Sequence, residues 1–183
     1  MTDTRTRTRL AHTSELGERA LKEIRSLLDA AFDGDFCDED FEHGLGGMHA
    51  LVHQDGELVA HGSLVQRRVV HRGQALRTGY VEAVAVRADC RRQGLGSAVM
   101  AGLEGVIARA YVLGALSASD EGAALYEQRG WTVWGGRIGT LAPEGPQRLA
   151  EEEGSTYLWV PEGAALPDTA GPLWFDWRNG DVL

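Results

Sequence analysis

The sequence Thr78-Gly-Tyr-Val-Glu-Ala-Val-Ala-Val-Arg87 is followed, after a short loop to Cys90, by Arg91-Arg-Gln-Gly-Leu-Gly-Ser97. The valines and alanines of the first stretch, interrupted by Glu82, predict a buried strand because β-branched side chains fit the pleat of a sheet. The second stretch leads into apolar residues spaced three and four apart, which predict a helix running to about Arg109. A strand, a glycine turn and a helix therefore indicate a fold that mixes α and β structure.

The glycine turn has the chemistry of an anion site. The first N–H groups of a helix lack internal partners and carry partial positive charge, and glycines remove the Cβ atoms that would keep a phosphate away. Arg91 and Arg92 add positive charge. The turn is not a nucleotide P-loop, because no Gly-Lys-Ser/Thr follows, and it is not a dinucleotide fingerprint, because the third glycine would fall on Val99. We therefore predict a pyrophosphate-binding turn.

A strand followed by Arg-x-x-Gly-x-Gly and a helix resembles the acetyl-CoA-binding segment of the GCN5-related N-acetyltransferase (GNAT) superfamily. The resemblance implies an α/β (α+β) fold whose mixed, mostly antiparallel central sheet is flanked by helices. In this fold a splayed central strand pair admits acetyl-CoA, the co-substrate. The residues that the resemblance assigns to acetyl-CoA are Val84, Ala85, Val86, Arg91, Arg92, Gln93, Gly94, Leu95, Gly96 and Ser97.

Length and composition are those of an ordinary globular protein. The 183 residues, 43% hydrophobic and 25% charged, predict one domain over residues 1–183 that buries about 70% of its unfolded surface. The sequence has no secretory signal and no apolar run of roughly 18 residues, so we expect a cytoplasmic protein without a membrane partner. The net charge of -9 disfavours nucleic acid and suits a cationic ligand.

The remaining sequence predicts elements on both sides of the glycine turn. Residues 7–13 predict a strand, and the apolar spacing from Leu21 to Ala31 predicts a helix ended by Asp33-Gly34. A hairpin is predicted for residues 48–70 around Asp55-Gly56, because Asp-Gly accepts the positive φ angles of a type I′ turn.

Further elements are predicted towards the C-terminus. They are a strand at 112–117, a helix capped by Ser119 that ends at Gly130, a strand from Trp131 to Leu141 broken by Pro143, Gly145 and Pro146, a loop at 151–154, a strand at 156–160 and a tail from Asp168 to Leu183.

Seven separated stretches resemble the aminoglycoside 2′-N-acetyltransferases in particular. In chain order they are Ala31-Phe-x-Gly-Asp-Phe36, Gly46-Gly-Met-His-Ala-Leu51, Gly79-Tyr-Val-Glu82, Val84-Ala-Val-Arg-Ala-Asp89, Leu113-Gly-Ala-Leu-Ser117, Leu125-Tyr-x-x-Arg-Gly-Trp131 and Asp176-Trp-Arg-x-Gly-Asp-Val182. The resemblance implies a homodimer and a set of residues that contact the amino sugar: Asp35, Glu82, Ala83, Ser117, Glu151, Glu152 and Asp181. Glu152 stands where the family pattern has Asp, and Leu183 stands where it has an aromatic residue.

A polyamine substrate carries several positive charges, so its binding site is expected to contain carboxylates. An ammonium and a carboxylate about 4 Å apart gain on the order of 4 kcal/mol at an effective dielectric of 20, before desolvation is subtracted. For Asp35 and Glu82 we favour this role. Four other acids, Asp38, Glu39, Asp40 and Glu153, are interpreted as solvated loop charges.

Three residues are candidates for the chemistry. Glu82 lies inside an apolar strand, where an unpaired charge is costly, so it faces a polar cavity or a partner. Four roles stay open for Glu82: a direct base with a raised pKa, a base acting through a water relay, positioning of the neutral amine, and a structural salt bridge. We favour the water relay. The N–H of Val84 can stabilise the oxyanion if the strand bulges there. Tyr126, implied to lie near the sulfur, is the candidate general acid, with a core tyrosine as the alternative.

Other sites are not supported by the sequence. His49 and His53 share a face of one predicted strand, but no third ligand has suitable spacing, so we expect no metal. Cys37 and Cys90 are interpreted as free thiols in a reducing cytoplasm, and direct acetyl transfer needs no covalent enzyme intermediate. Ser117 is either a substrate contact or a helix cap. Trp174 and Trp177 are interpreted as packing or dimer-interface residues.

The predicted function is acetyl-CoA-dependent acetylation of the 2′-amine of an aminoglycoside, in a ternary complex and without metal. Acetylation removes one positive charge, which leads to antibiotic resistance. Three alternatives stay open: a GNAT enzyme acting on another amine such as a protein N-terminus or a polyamine, a non-catalytic acyl-CoA-binding module, and an acidic interaction domain without ligand.

Overall fold

The computed structural model describes residues 5–168 and 171–183. Residues 1–4, in the polar N-terminus, and residues 169–170, in the predicted tail, lie outside the described residues. The elements in chain order are β1 (Thr6–His12), α1 (Glu18–Ala31), α2 (Asp38–His43), β2 (Met48–Gln54), β3 (Glu57–His71), β4 (Gln74–Val86), α3 (Leu95–Ala110), β5 (Leu113–Ser117), α4 (Asp120–Gln128), β6 (Thr132–Val133), β7 (Ile138–Ala142), β8 (Gly145–Arg148), β9 (Thr156–Trp159) and β10 (Leu173–Asp176). Single 3-10 turns occupy Thr13–Glu15, Ala88–Cys90 and Ala150–Glu152.

The chain forms two compact units. Unit 1 consists of Met1–Val65 and Val81–Gly105, and unit 2 consists of Gln66–Tyr80 and Val106–Leu183. The long strands β3 and β4 each contribute one part to each unit. A single domain over residues 1–183 stays a prediction, and the units are described separately below.

In unit 1, β1 pairs antiparallel with β2, and β2 pairs antiparallel with β3. Alternate side chains of β2 face opposite layers, as the period of two requires. Leu51 packs with Ile24 and Leu28 of α1. Ala50 lies on the other face, beside Gly102 of α3. The core of unit 1 is therefore a sheet with a helix on each face.

In unit 2, the strand order is β6-β9-β5-β4-β3-β10-β7-β8, counting the parts of β3 and β4 that belong to it. Two pairings are parallel, β4 with β5 and β10 with β7, and those of β3 with β10, β5 with β9, β6 with β9 and β7 with β8 are antiparallel. The register of β4 with β5 covers three residue pairs, from Thr78↔Leu113 to Tyr80↔Ala115. The mixed, mostly antiparallel sheet is confirmed. The splayed strand pair stays a prediction.

The local signals in the sequence are borne out where they depend on one or two residues. Asp55 and Gly56 have φ angles of 51° and 94°, the two positive values of a type I′ turn. Ser119 is the N-cap of α4, and its hydroxyl accepts a hydrogen bond from the N–H of Gly122. Helix α1 ends at Ala31, before Asp33 and Gly34 with φ angles of 53° and 83°.

The prediction of one strand from Trp131 to Leu141 is wrong. Strands β6 and β7 are separated at Trp134-Gly-Gly-Arg137, because two glycines supply no side chains to pack on a sheet. The break predicted at Pro143, Gly145 and Pro146 is confirmed for β7, which ends at Ala142, but a further strand, β8, begins at Gly145 and pairs with β7. Strand β8 is the edge strand of the sheet in unit 2. Pro146 is tolerated there because an edge strand does not require every residue to donate a backbone hydrogen bond.

The tail also contains a strand that the sequence did not indicate. Residues Leu173–Asp176 form β10, which pairs antiparallel with β3 and parallel with β7. Trp174 lies against Gly139 of β7, which confirms a packing role for this tryptophan. Trp177 is exposed, and its role in a dimer interface stays a prediction. No helix in residues 5–168 and 171–183 has both the length and the apolar character needed to cross a membrane.

Candidate active site

The entrance of α3 is open. Gly94 has a φ of +78°, which L side chains rarely adopt, and no atom lies within 4 Å of the position that a Cβ would take there. The side chains of Arg91, Arg92 and Gln93 are exposed, whereas Leu95 is buried and begins the helix. An anion can therefore approach the first N–H groups of α3, next to the exposed residues Arg91 and Arg92, which fits the diphosphate of acetyl-CoA.

Strand β4 leaves the extended conformation at Ala83. Its φ is +47°, which costs an L residue about 1–2 kcal/mol, although both neighbours continue the strand. Residues held in sparsely populated backbone conformations cluster at functional sites. The irregularity lies directly between Glu82 and Val84, where a bulge was the condition for the predicted role of Val84.

The predicted site residues of β4 differ in burial from their neighbours. Val81 and Ala85 are each 5% exposed, whereas Glu82, Ala83 and Val84 are half-buried. The backbone carbonyl of Glu82 accepts a hydrogen bond from the Ser63 hydroxyl at 3.5 Å. The Val84 side chain lies near Gly62 of β3 on the face that carries Val99 and Leu103 of α3. The half-buried segment from Glu82 to Val84 thus lies between two buried residues of the strand.

The first acidic segment, residues 33–42, holds acids of two kinds. Asp38 forms an ion pair with Arg25 at 2.6 Å, and Asp40 accepts a hydrogen bond from the N–H of Cys37 at the start of α2. Asp35 is exposed, and its N–H closes a turn on the Phe32 carbonyl at 2.9 Å. The structure therefore gives Asp38 and Asp40 internal tasks and leaves the Asp35 carboxylate at the surface of unit 1.

In unit 2 the structure brings Ser117 and Glu152 together. The Ser117 hydroxyl donates to the Glu152 carboxylate at 2.5 Å, and the Ser155 hydroxyl donates to the same oxygen at 3.2 Å. This contact joins the end of β5 to the 3-10 turn before β9. Ser119, rather than Ser117, caps α4. The alternative reading of Ser117 as a helix cap is therefore wrong.

The neighbours of Glu152 behave differently. Glu153 pairs with Arg148 through two hydrogen bonds of 2.8 Å, and this pair lowers the pKa of the Glu153 carboxyl. Glu151 is exposed. Of the three adjacent acids, Glu152 is the one held by hydroxyl groups and Glu153 the one held by a cation.

Tyr126 is a buried residue of α4. Its ring packs against Trp131 and Tyr157, each with centroids 6.2 Å away. Burial raises the pKa of the Tyr126 phenol to about 12, because the phenolate would lose its hydration. The phenol is consequently protonated at neutral pH.

Asp181 lies in an irregular segment that a buried arginine anchors. The Arg67 side chain, 4% exposed, donates to the Asp176 carboxylate at 2.8 Å and to the Val182 carbonyl at 2.6 Å. Its guanidinium carbon lies 5.0 Å from the Tyr80 ring centroid and 5.3 Å from that of Phe175. The Asp181 side chain is exposed beside this anchored carbonyl.

Sequence reasoning missed Arg67, and also Ser63 and Ser155, which hold the backbone of Glu82 and the carboxylate of Glu152. Arg67 had no clear signal, because it stands between Gln66 and Arg68 in a polar part of β3, unlike Glu82. For the two serines there was no signal, since their partners lie 19 residues away in one case and in a short 3-10 turn in the other.

The histidines and cysteines show no metal site within the described ranges, where no group of three or more metal-binding side chains is found. The register of β2 with β3 shifts between Val52 and His53, so His49 and His53 are separated by an irregularity. Cys37 and Cys90 are free thiols, as predicted.

Comparison with known proteins supports the same interpretation. A family profile described as an acetyltransferase (GNAT) domain matches residues 12–134. An aminoglycoside 2′-N-acetyltransferase from Mycolicibacterium fortuitum is 48% identical over 177 residues, which cover 95% of this chain and 90% of that protein.

Two solved structures show the likeness of the fold. The GNAT family N-acetyltransferase YhbS from Escherichia coli, in complex with CoA, gives a TM-score of 0.62 at 18% identity, covering 96% of this chain and 92% of the other. A probable N-acyltransferase from Enterococcus faecalis V583 gives a TM-score of 0.60 at 21% identity, covering 72% of this chain. The match covers 33% of that larger protein.

The open helix entrance, the irregular strand before it and these likenesses agree with one another. The chain belongs to the GNAT acetyltransferases and, within them, to the family of the aminoglycoside 2′-N-acetyltransferases.

Proposed function

We propose that the protein transfers an acetyl group from acetyl-CoA to the 2′-amine of aminoglycoside antibiotics. The observation that carries this proposal is the open entrance of α3 at Gly94, directly after a strand that leaves the extended conformation at Ala83. The helix entrance offers backbone N–H groups to a diphosphate, and the irregular strand offers a backbone N–H to the oxyanion that forms from the thioester. The choice of substrate rests on the relative from Mycolicibacterium fortuitum, which is named for this reaction.

The co-substrate supplies the acetyl group as a thioester. We propose that the turn Arg91–Ser97 holds its diphosphate through backbone N–H groups and the two arginines. The backbone of Val84, Ala85 and Val86 binds the adjoining arm in the manner of an added strand. The exposure of Arg91 to Gly94, next to the buried Leu95, supports this assignment because the turn is accessible while its helix is fixed.

The proposed contacts to the amino sugar are the carboxylates and the neighbouring groups predicted above: Asp35, Glu82, Ala83, Ser117, Glu151, Glu152 and Asp181. Support for Glu152 is its pairing with hydroxyls instead of a cation, which leaves its full negative charge for an ammonium group. Asp35, Glu151 and Asp181 are exposed and accessible to a ligand. The net charge of -9 attracts a polycation.

Glu82 and Val84 are proposed to act on either side of Ala83. Glu82 positions the amine and, through a water molecule, takes its proton. A direct transfer is disfavoured because an unperturbed carboxylate is a far weaker base than an alkylamine, by roughly 8 kcal/mol. The Val84 N–H stabilises the negative charge that develops on the acetyl oxygen.

Tyr126, the general acid of the sequence-based prediction, is proposed to donate a hydrogen bond to the departing sulfur. Its pKa of about 12 keeps it protonated, as a donor must be. A thiol titrates near 8.5, so complete transfer is uphill by roughly 3–4 pKa units, or about 5 kcal/mol. Tyr126 therefore stabilises the thiolate mainly by a hydrogen bond, and solvent protonates the thiolate after CoA is released.

The remaining parts of the proposal rest on the sequence. They are direct transfer in a ternary complex, no metal, a homodimer, a cytoplasmic location, and no nucleic-acid or membrane partner. Resistance follows because acetylation removes a positive charge from the antibiotic.

The test is release of CoA thiol from acetyl-CoA in the presence of gentamicin, followed with a thiol reagent. An aminoglycoside with a hydroxyl in place of the 2′-amine is the matched negative control, and peptide amines test the alternative substrate class. We expect turnover with 2′-amino compounds alone. Turnover with peptides exceeding that with every 2′-amino compound contradicts the proposal.

A variant pair tests the glycine turn. Gly94→Ala adds a Cβ at φ +78°, and Gly163→Ala adds one at φ +82° in another open loop, so both carry the same backbone penalty. We expect the KM for acetyl-CoA to rise about tenfold in the first variant and to stay within about twofold in the second. Equal values in the two variants contradict the assignment of the turn.

A further inference from the structure

A buried guanidinium in unit 2 has no part in the reaction proposed above. The Arg67 side chain on β3 is 4% exposed, and its guanidinium carbon lies 5.0 Å from the ring centroid of Tyr80 and 5.3 Å from that of Phe175. A charge in such a place is unfavourable unless hydrogen bonds compensate for the lost hydration. The partners of the guanidinium therefore show what it is there to hold.

The guanidinium closes a loop that follows strand β10. Its Nε donates to the Asp176 carboxylate at 2.8 Å, and its Nη2 donates to the carbonyl of the same residue at 2.5 Å. Its Nη1 donates to the Val182 carbonyl at 2.6 Å. Asp176 is the last residue of β10, so one side chain ties the end of this strand to the end of the segment 176–182. A rigid fork of N–H donors suits this task, whereas a lysine ammonium does not.

A second arginine holds the carbonyl before that of Val182. Nε of Arg178 donates to the Asp181 carbonyl at 3.1 Å, and the guanidinium carbon of Arg178 lies 5.5 Å from the Tyr80 ring centroid. The Tyr80 ring therefore contacts the guanidinium groups of both arginines. The Asp181 carbonyl belongs to the planar peptide that begins at its own Cα, so holding it restricts the direction in which the Asp181 side chain leaves the backbone.

These contacts order a segment that contributes little to the core. Within residues 177–183, all of which the structure describes, Val182 is the one buried residue. The Asp181 carboxylate is exposed and forms no hydrogen bond or ion pair within residues 5–168 and 171–183. Exposed segments of this kind are usually poorly ordered unless they are tied down. The arginines thus fix the backbone beneath a carboxylate whose charge is available.

We propose that Arg67 is a positioning residue for substrate binding: by tying Val182 to Asp176, it holds the Asp181 carboxylate ready for an ammonium group of the amino sugar. Arg67 itself is buried and does not touch the substrate. An ion pair costs less to form when one partner is ordered in advance, because less conformational freedom is lost on binding. The inference rests on the proposed function for the role of Asp181, but the order of the segment does not depend on it.

The order of the segment is tested by 15N relaxation NMR without any substrate. We expect backbone order parameters of about 0.8 for Asp181 and Val182 in the wild-type protein, and values below about 0.6 in Arg67→Lys. Arg68→Lys is the matched control, because Arg68 is exposed and contacts Asp176 through its backbone N–H, which lysine keeps. Equal order parameters in the wild-type protein and Arg67→Lys overturn the proposal, whether or not the protein acetylates anything.

The role in binding is tested by steady-state kinetics of the same variants. We expect KM for gentamicin to rise about fivefold in Arg67→Lys, the cost of ordering one flexible group on binding. We expect kcat and KM for acetyl-CoA to stay within about twofold, and Arg68→Lys to match the wild-type protein. A merely structural role would reduce the amount of active enzyme and so lower kcat without changing KM. A loss confined to kcat therefore contradicts the proposal.

A double-mutant cycle shows whether Arg67 acts through Asp181. We expect Asp181→Asn to raise KM for gentamicin about tenfold, because a charge-assisted hydrogen bond is lost. Adding Arg67→Lys to that variant should then raise KM by less than about twofold more, since the carboxylate to be positioned is already gone. Effects that multiply overturn the positioning role. An unchanged KM in Asp181→Asn with turnover retained also overturns it, but leaves the proposed reaction intact.

Arg178→Lys provides the same test if Arg67→Lys fails to fold. Arg178 is only half-buried, and its substitution removes the hydrogen bond to the Asp181 carbonyl. We expect KM for gentamicin to rise about two- to threefold with KM for acetyl-CoA unchanged. An unchanged KM for gentamicin in this variant contradicts the proposal.

Discussion

The two acidic segments of the chain, residues 33–42 in unit 1 and residues 151–153 in unit 2, use their carboxylates in different ways. In the first segment, Asp38 pairs with Arg25 and Asp40 caps α2. In the second, Glu153 pairs with Arg148 and Glu152 is held by the hydroxyls of Ser117 and Ser155. The first segment thus uses its internal contacts to fold a short helix, whereas in the second segment two hydroxyls also orient the carboxylate of Glu152.

The difference shows what makes an acid available to a cationic ligand. An arginine offsets the charge of Asp38 or Glu153, so little attraction remains for an ammonium group. Hydroxyl donors orient Glu152 and leave its charge unchanged. Asp35 has its charge available as well, but it is exposed to water, which weakens any ion pair it makes. We therefore expect Glu152 to contribute more to substrate binding than Asp35.

Lowering the pH should give the largest difference between the two segments. In the first segment, residues 33–42, Asp40 and Phe41 lie near the buried pair of His49 and His61. Burial is the main cause that lowers the pKa of His49 to about 4 and that of His61 to about 3, from 6.5 in the unfolded chain. Because the unfolded state takes up these protons first, stability is complete above pH 6.5 and is lost as the pH falls towards those values.

Lowering the pH from 7 to 5 should reduce the free energy of unfolding by about 2 kcal/mol for each buried histidine. Urea unfolding measures the total loss of unfolding free energy. Hydrogen exchange shows where in the structure it occurs, and we expect the amides of α2 to lose protection before those of β9. The double variant His49→Gln, His61→Gln should lose most of the pH dependence. An unchanged dependence in that variant contradicts the assignment to these residues.

The second prediction compares Glu152 with Glu153 directly. Glu152→Gln should lower kcat/KM for gentamicin about thirty- to hundredfold, which is about 2–3 kcal/mol of the Coulomb attraction left after desolvation. Glu153→Gln, one residue away, should change it by less than about twofold because Arg148 already offsets that charge. KM for acetyl-CoA is measured in both variants and should stay constant. Equal effects of the two substitutions would contradict the distinction between Glu152, which hydroxyls hold, and Glu153, which an arginine holds.

The third prediction makes the same comparison in the first segment. Asp35→Asn should lower kcat/KM for gentamicin about three- to fivefold, since an exposed ion pair is worth about 0.2–1 kcal/mol. Asp38→Asn should leave catalysis unchanged. A larger effect for Asp38 than for Asp35 shows that the ion pair with Arg25 does more than stabilise α2.

The smallest effect is expected for the stability of the exposed ion pair in the second segment. Arg148→Gln removes the partner of Glu153, whose side chain is 25% exposed while that of Arg148 is 55% exposed. The free energy of unfolding should change by less than about 0.5 kcal/mol, and raising the salt concentration should reduce even that. Thermal unfolding at two ionic strengths checks it, and a loss above about 2 kcal/mol contradicts the comparison.

What could be predicted from the sequence follows the range of the interactions involved. The N-cap Ser119 and the turn at Asp55-Gly56 depend on neighbours within three residues, and both were predicted correctly. Strand β10 exists because it pairs with β3 and β7, whose residues lie 35 or more positions away along the chain. Four residues without a clear alternation carry no local signal for such a strand.

The candidate site shows the same limit. Glu82 stands out in sequence because a charge interrupts apolar residues, whereas the hydroxyls that hold Glu152 have no such contrast around them. Ser63 lies in a strand whose pattern predicts pairing but not that its hydroxyl donates to the Glu82 carbonyl. The structure adds these supporting groups because side-chain partners across strands follow from register, which the sequence alone leaves undetermined.

The left-handed backbone at Ala83 restricts which residues can replace it. Glycine, asparagine and aspartate adopt such φ angles most readily, and β-branched residues are outliers there. Position 83 is therefore expected to accept few replacements. Among laboratory variants of this position that keep the fold, valine, isoleucine and threonine should be absent.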